Sequence, residues 1–221
     1  MGPKNIILKV IIFYPLMILL FLFLPAGSFQ YLPAWIFSVA FFIPLMITVT
    51  YLVKHDPALL ERRLRTREKE KRQKVLVQLI RIPSVFGFLI PGLDYRFHWS
   101  GVPTGVVIFS NIMIMLGYFL VFLVFRENSY TSRVVEVDHD QKVISSGPYK
   151  YVRHPMYSGM IILFLFIPTA LGSWWALAFF VLVPVFLIFR IFNEEKLLRL
   201  NLPGYNDYCE KVRYRLIPYI W

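Results

Sequence analysis

Cysteine occurs once in the 221 residues, at Cys209, so no disulfide can form within the chain and nothing implies an oxidising compartment. Without a cysteine pair, and with its four histidines (His55, His98, His139, His154) scattered along the chain, the sequence offers no metal cluster, and no metal is expected. Nowhere do two glycines flank a single residue, which excludes a Rossmann dinucleotide loop and the glycine-rich loop of soluble methyltransferases. A Walker loop and a His-Glu-x-x-His pair are missing too. Ser129, Ser145 and Ser146 lie near His139 or His154 in sequence, but they are loop serines of the common kind and no hydrolase triad is expected. Acidic residues are also scarce, 13 against 24 Lys and Arg, a net charge of +11. Such an excess would suit nucleic acid, yet the basic residues lie between long apolar runs, as in a membrane protein that obeys the positive-inside rule, so no nucleic-acid partner is expected.

What is abundant is apolar surface. The chain is 57% hydrophobic and 18% aromatic with a mean hydropathy of +0.59, so its solvent, and its first partner, is the lipid bilayer. Residues 6–24 form an apolar run interrupted only by Lys9, and it lacks a small-x-small exit, so a spanning helix rather than a cleavable signal is expected. A second run, 31–53, carries Pro44, tolerable in lipid as a kink. Asp56 and Pro57 then read as N-cap and first residue of a helix. That helix is expected to run over 59–78, with Glu61–Arg65, Glu68–Arg72 and Glu70–Lys74 as i, i+4 pairs, either as a solvated connector or lying on anionic headgroups. Residues 75–97 hold Arg81, Pro83, Pro91, Gly87 and Gly92, and read as a broken span or a re-entrant piece. Residues 103–125 are a clean 23-residue run, and 126–153 a polar connection with a turn near 138–141. The runs 156–171 and 174–192, joined by Gly172 and Ser173, predict a tight antiparallel helical hairpin with Trp174 and Trp175 in the interfacial aromatic belt.

If all six segments cross, 23 of the 24 Lys and Arg fall on one side and only Arg96 on the other. The expectation is therefore an all-α, polytopic transmembrane bundle of five to six membrane helices, with both termini cytoplasmic. Residues 1–142, including the basic connector 54–81, would form the amino-terminal membrane part, and 143–221 the functional region.

Two polar clusters sit where fixed charge should be rare. Arg153, His154 and Pro155 precede the first helix of the expected hairpin, and Glu194 and Glu195 follow the apolar part of the second, so a tight hairpin brings them together at one membrane surface. Consecutive glutamates point about 100° apart on a helix, so one faces the interior and the other faces water or the tail. A lone arginine or histidine beside a span is an ordinary stop signal. The conjunction of His154, Tyr149 and Tyr157 with the glutamates and with Tyr205, Tyr208 and Tyr214 points to a site.

Gly147-x-Tyr149, Arg153-His154-Pro155-x-Tyr157-x-Gly159, Glu194-Glu195 and Tyr205-x-x-Tyr208, with the Arg/Pro-rich tail, resemble the isoprenylcysteine carboxyl methyltransferase family and its phospholipid methyltransferase relatives. The resemblance covers about 143–221, a third of the chain. It implies S-adenosyl-L-methionine as methyl donor, held on the cytoplasmic side by Gly147, Tyr149, Arg153, His154, Tyr157, Gly159, Glu194, Glu195, Tyr205 and Tyr208, with the tail closing the site. It also implies catalytic roles for Glu195 and for a tail arginine, Arg213 or Arg215, that orients a substrate carboxylate. The acceptor would be hydrophobic or lipid-borne: a prenylated cysteine carboxylate, a phospholipid amine or a small hydrophobic thiol. Methyl transfer needs alignment and exclusion of water more than a strong base, which suits a site of aromatic rings, one carboxylate and basic side chains. The ending Tyr214-Arg215-Leu216-Ile217-Pro218-Tyr219 also resembles the membrane sterol reductases, which use NADPH, and a non-catalytic membrane scaffold is a third reading.

Overall fold

The computed structural model describes residues 3–64, 71–131 and 141–221. Among the described residues every regular element is helical. Helix α1 (Pro3–Ile18) passes into a π-helical segment (Leu19–Phe23) and a last turn, α2 (Leu24–Ala26). The widened turn lies just ahead of Pro25, whose missing N–H and bulky ring do not fit a regular α-helix. Gly27, at φ +63°, ends the rod in the left-handed conformation. Helix α3 (Leu32–His55) follows, then α4 (Pro57–Leu64), which starts as expected: the Asp56 carboxylate accepts the Leu59 N–H at 2.9 Å. The three expected i, i+4 ion pairs rest on residues within 65–70, outside the described ones.

Helix α5 (Lys71–Phe97) corrects the reading of 75–97 as a broken or re-entrant element. It is one continuous helix through Pro83 and Pro91, and its stretch Gln73–Phe97 is long and apolar enough to cross a membrane. Its glycines serve close approach. A Cβ on Gly92 would lie 2.6 Å from the Leu22 carbonyl oxygen, and one on Gly87 2.7 Å from the Phe180 ring. Helix α6 (Thr104–Glu127) runs back beside α3 and packs most extensively on α7 (Pro155–Ala170), to which it is fastened by the Ser110–Thr169 hydroxyl pair at 2.7 Å.

Beyond α7 the second expected run is also redrawn. The connection is not Gly172 and Ser173 alone, because a turn over 171–176 leads into a short helix, α8 (Leu177–Phe180), and then α9 (Leu182–Asn201). Helix α9 continues nine residues beyond Phe192, so both glutamates lie within it. Helix α10 (Tyr205–Lys211) and a tail to Trp221 complete the chain. Among the described residues five stretches have the length and hydropathy of membrane spans, and α7 is a shorter apolar helix of 16 residues, in line with a five-to-six-helix membrane bundle.

Two ends of the bundle can be told apart. At one, Ile6 of α1, Val49 and Leu52 of α3, Leu59 and Leu60 of α4, and Val121 and Phe125 of α6 share one apolar cluster. At the other, Tyr31 stacks on Tyr95, its hydroxyl donates to the Leu171 carbonyl, and the buried Asp94 carboxylate accepts from the Ser100 N–H at 2.7 Å and from the Ser100 and Ser173 hydroxyls. This second knot ties α5, the 98–103 loop and the α7–α8 turn together, and leaves the polar chemistry of the tail to the first end.

Candidate functional site

The first end holds a buried charge cluster. Pro155 opens α7 with its φ preset and no N–H to satisfy, which leaves Arg153 and His154 as the extended entry to the helix. The tail runs alongside this entry. The Arg153 N–H donates to the Tyr214 carbonyl and the His154 N–H to the Arg215 carbonyl, both at 2.9 Å, and the Ser158 hydroxyl donates to the Leu216 carbonyl at 2.7 Å. The Arg153 guanidinium adds Nη1 bonds of 2.8 Å to the carbonyls of Val212 and Arg213. Five hydrogen bonds thus strap residues 212–216 to the start of α7.

Glu195 is the centre of this strap. Its Oε1 accepts from Arg153 Nε at 2.7 Å and lies 3.3 Å from His154 Nε2, while its Oε2 accepts from Arg215 Nε at 3.0 Å. Arg153, His154 and Glu195 are all buried, so the Arg153 and Glu195 charges are held by partners rather than by water. The Arg215 guanidinium lies against the Phe192 and Trp221 rings, 5.4 and 5.3 Å from their centroids, and the two rings meet each other edge to face. Glu194, one residue earlier, faces the other way. Its Oε2 accepts the Tyr157 hydroxyl proton at 2.6 Å, and that hydroxyl accepts from Arg190 Nε at 3.1 Å. Arginine can only donate, so the direction of the Arg190–Tyr157–Glu194 chain is fixed, and Glu194 receives the proton end. The split between interior and tail expected of consecutive glutamates is what these bonds produce.

A cavity of about 110 Å3, or about 860 Å3 counting all empty space between its lining atoms out to the mouth, opens beside Glu194. Seven of the ten residues expected to bind a cofactor line it: Tyr149, Arg153, His154, Tyr157, Glu194, Tyr205 and Tyr208. Glu195 does not, because it lies behind Arg153 and His154. Gly147 and Gly159 do not line it either. Gly147 sits at φ +55° with the Glu127 side chain 2.9 Å from where a Cβ would be, and Gly159 abuts the Gly117 carbonyl. Of the two tail arginines, Arg215 is committed to Glu195 and the Phe192–Trp221 ring pair, and Arg213 is exposed and contributes its carbonyl to Arg153. Neither reaches the cavity wall.

Sequence reasoning gave no role to Arg190 or Asn128, which also line the cavity. The signal for Arg190 was there, one helical turn before Glu194. Asn128, which donates to the Tyr149 hydroxyl at 2.9 Å, carried none. Tyr149 is further fixed by the Tyr208 hydroxyl, which donates to its carbonyl at 2.7 Å. The Tyr205 hydroxyl, by contrast, is buried at the cavity with no hydrogen-bond partner among the described residues.

Burial pushes the phenols of Tyr149, Tyr205 and Tyr208 well above the usual tyrosine value of 10.0. The folded state therefore keeps three protons that the unfolded chain releases near pH 10. Their contribution to stability is complete below pH 10 and declines as pH rises above it. Unfolding followed by tyrosinate absorbance should thus be cooperative and steepen above about pH 10, and Tyr208→Phe should flatten that slope. A slope unchanged in the variant would contradict this account.

Residues 106–202 match the family model for phospholipid methyltransferases. The matched stretch opens in α6 and closes just past α9, so it contains Arg153, His154, Tyr157, Arg190, Glu194 and Glu195, while Tyr205, Tyr208 and the tail lie beyond it. A comparison with curated proteins finds no match.

Proposed function

We infer, from the match of residues 106–202 to the family model for phospholipid methyltransferases, that this chain is a membrane methyltransferase that uses S-adenosyl-L-methionine and acts on a lipid-borne acceptor of the isoprenylcysteine carboxylate type. The observation that carries the reading is the polarity of the cavity. A carboxylate with a fixed hydrogen-bond direction and five tyrosines, one of them with a phenol unpartnered among the described residues, share one small chamber at the end of an apolar bundle.

These groups fit the donor chemically. Glu194 gives one oxygen to Tyr157 and keeps the other for the donor's ammonium group. The Tyr205 hydroxyl, otherwise unsatisfied, would find its partner on the ribose or adenine. The tyrosine faces suit a sulfonium by cation–π attraction. When bound, S-adenosyl-L-methionine supplies an electrophilic methyl group on a positively charged sulfur. Arg153 and His154 build one wall but are engaged by Glu195, so they position rather than react. Met156, Leu197, Leu198 and Leu202 form the apolar side, suited to exclude water and receive an oily acceptor. With the amino terminus, the basic connector 54–74 and the basic tail all assigned to this end by six crossings, the site is proposed to lie on the cytoplasmic face.

Calorimetry on detergent-purified protein tests the donor. S-adenosyl-L-methionine should bind, and both Glu194→Gln and Tyr157→Phe should weaken it by roughly tenfold, the size of one charge-assisted hydrogen bond. Binding of NADPH without binding of the methyl donor would end this reading in favour of a reductase. Labelled methyl transfer to a prenylcysteine, to phosphatidylethanolamine and to a hydrophobic thiol, run side by side in liposomes, identifies the acceptor.

A further inference from the structure

Away from this chamber, Arg81 is a charge within a span that has no counterpart among the described residues. Arg81 lies eight residues beyond Gln73 in the span Gln73–Phe97, roughly 12 Å along the helix at 1.5 Å per residue. Its side chain is exposed, and among the described residues it makes no ion pair, hydrogen bond or ring contact. An ionisable group at such depth is rare, and where it occurs it answers to a partner.

Beside it is a groove of about 290 Å3 between α1, α3 and α5, lined by Tyr14, Phe37, Phe41, Arg81, Phe88 and neighbouring apolar residues. The helix directions give the groove a top and a bottom. Helices α1 and α5 both run away from the tail end, and α3 runs towards it, so Tyr14, Phe41 and Arg81 form the upper rim, and Leu22, Phe37 and Phe88 the floor. The Tyr14 hydroxyl is already spent on the Ser38 carbonyl at 2.9 Å and the Ser84 hydroxyl on the Ile80 carbonyl at 2.7 Å. With both hydroxyl protons spent, the guanidinium is the one group of the lining with hydrogen-bond donors to spare among the described residues, and apart from the Ser84 hydroxyl everything beneath it is hydrocarbon and aromatic.

We propose that the α1–α3–α5 groove is a binding site for an anionic phospholipid, its phosphate on Arg81 and one acyl chain lying down the groove towards Phe88. The charge complementarity selects the head. A guanidinium presents a planar fork that matches phosphate oxygens, whereas a zwitterionic headgroup brings its own cation and leaves no net charge for Arg81 to neutralise. The vertical order selects the orientation, with the charge on the tail side of mid-span and the floor of Leu22, Phe37 and Phe88 beyond it. The site is separate from methyl transfer and does not depend on it.

The test is native mass spectrometry of the full chain released from bilayers of equimolar phosphatidylglycerol and phosphatidylcholine. The expected result is about one retained phosphatidylglycerol per chain, with retention cut by about fivefold to tenfold in Arg81→Gln, largely kept in Arg81→Lys, and lost in Val85→Trp, which fills the groove. S-adenosyl-L-methionine affinity should be the same in all of them. Equal retention of phosphatidylcholine, or undiminished phosphatidylglycerol in both Arg81→Gln and Val85→Trp, overturns the proposal. A parallel arm with oleate decides the source of the negative charge: displacement of the phospholipid by oleate at equal concentration would show a fatty-acid site and overturn the phospholipid assignment. Should Arg81→Gln fail to fold, Val85→Trp and Arg81→Lys still decide it.

Discussion

Glu195→Ala should abolish methyl-donor binding, by more than about a hundredfold, and lower stability by about 3–5 kcal/mol, although Glu195 does not touch the cavity. The argument is electrostatic. Arg153 is buried, and its guanidinium is held by one carboxylate and two backbone carbonyls. Removing the carboxylate leaves an uncompensated cation in a site shielded from water, which costs more than the pair contributes. The damage spreads because the same carboxylate also engages His154 and Arg215. With the centre gone, the tail strap that frames the chamber loses its charged anchor. Glu195→Gln keeps the shape and the accepting oxygen, so it should fall between wild type and alanine. Arg215→Met removes a partner whose side chain is 27% exposed and should cost under about 1 kcal/mol. Thermal unfolding in detergent, paired with calorimetry, gives both readouts, and a Glu195→Ala protein that melts and binds like wild type would refute the hub.

The membrane character of the chain was legible because hydropathy over twenty residues depends on composition, and composition survives tertiary context. Pro3–Ala26, α3 and α6 fall within two to three residues of the expected runs. Residues 75–97 were misread because proline and glycine carry two meanings. In water Pro83 and Pro91 would argue for a break, but within a bundle neighbouring helices stabilise the continuous rod, and Gly87 and Gly92 are there so that Phe180 and the Leu22 backbone can approach. The turn after α7 was misjudged for a related reason. Gly172 and Ser173 looked like a two-residue connection, yet Ser173 is occupied by Asp94, a carboxylate 79 positions away that no local pattern announces. At the site, the motif residues are brought together, but their division of labour was not readable. Which of Glu194 and Glu195 faces the cavity depends on the rotation of α9 against α7, a tertiary quantity. The same holds for Gly147 and Gly159: the sequence marks both as special but not whether the nearby atom belongs to a ligand or to the protein.

Gly159 supplies the second large effect. On α7 it faces Gly117 of α6, and each glycine presses on the other's backbone. A Cβ at Gly159 would lie 2.8 Å from the Gly117 carbonyl oxygen and 2.8 Å from Val121 Cγ2, and one at Gly117 would lie 3.0 Å from the Gly159 carbonyl oxygen. Small residues at such a crossing let two helices meet where the bilayer gives no hydrophobic drive for them to do so. The neighbour that must yield is backbone, which cannot rotate aside like a side chain. Gly159→Val should therefore cost about 1–3 kcal/mol through overpacking and separate α6 from α7. That separation reaches the chamber directly, because Asn128 just beyond α6 holds the Tyr149 hydroxyl, and Arg153 and His154 lead into α7. Melting temperature and donor affinity should fall together in Gly159→Val and, less severely, in Gly159→Ala. Gly105, also on α6 but with nothing within 4 Å of its would-be Cβ, provides the contrast. Gly105→Ala should be neutral or stabilising by up to about 1 kcal/mol. If Gly159→Val melts and binds as Gly105→Ala does, the close crossing is not what holds the two halves of the site in register.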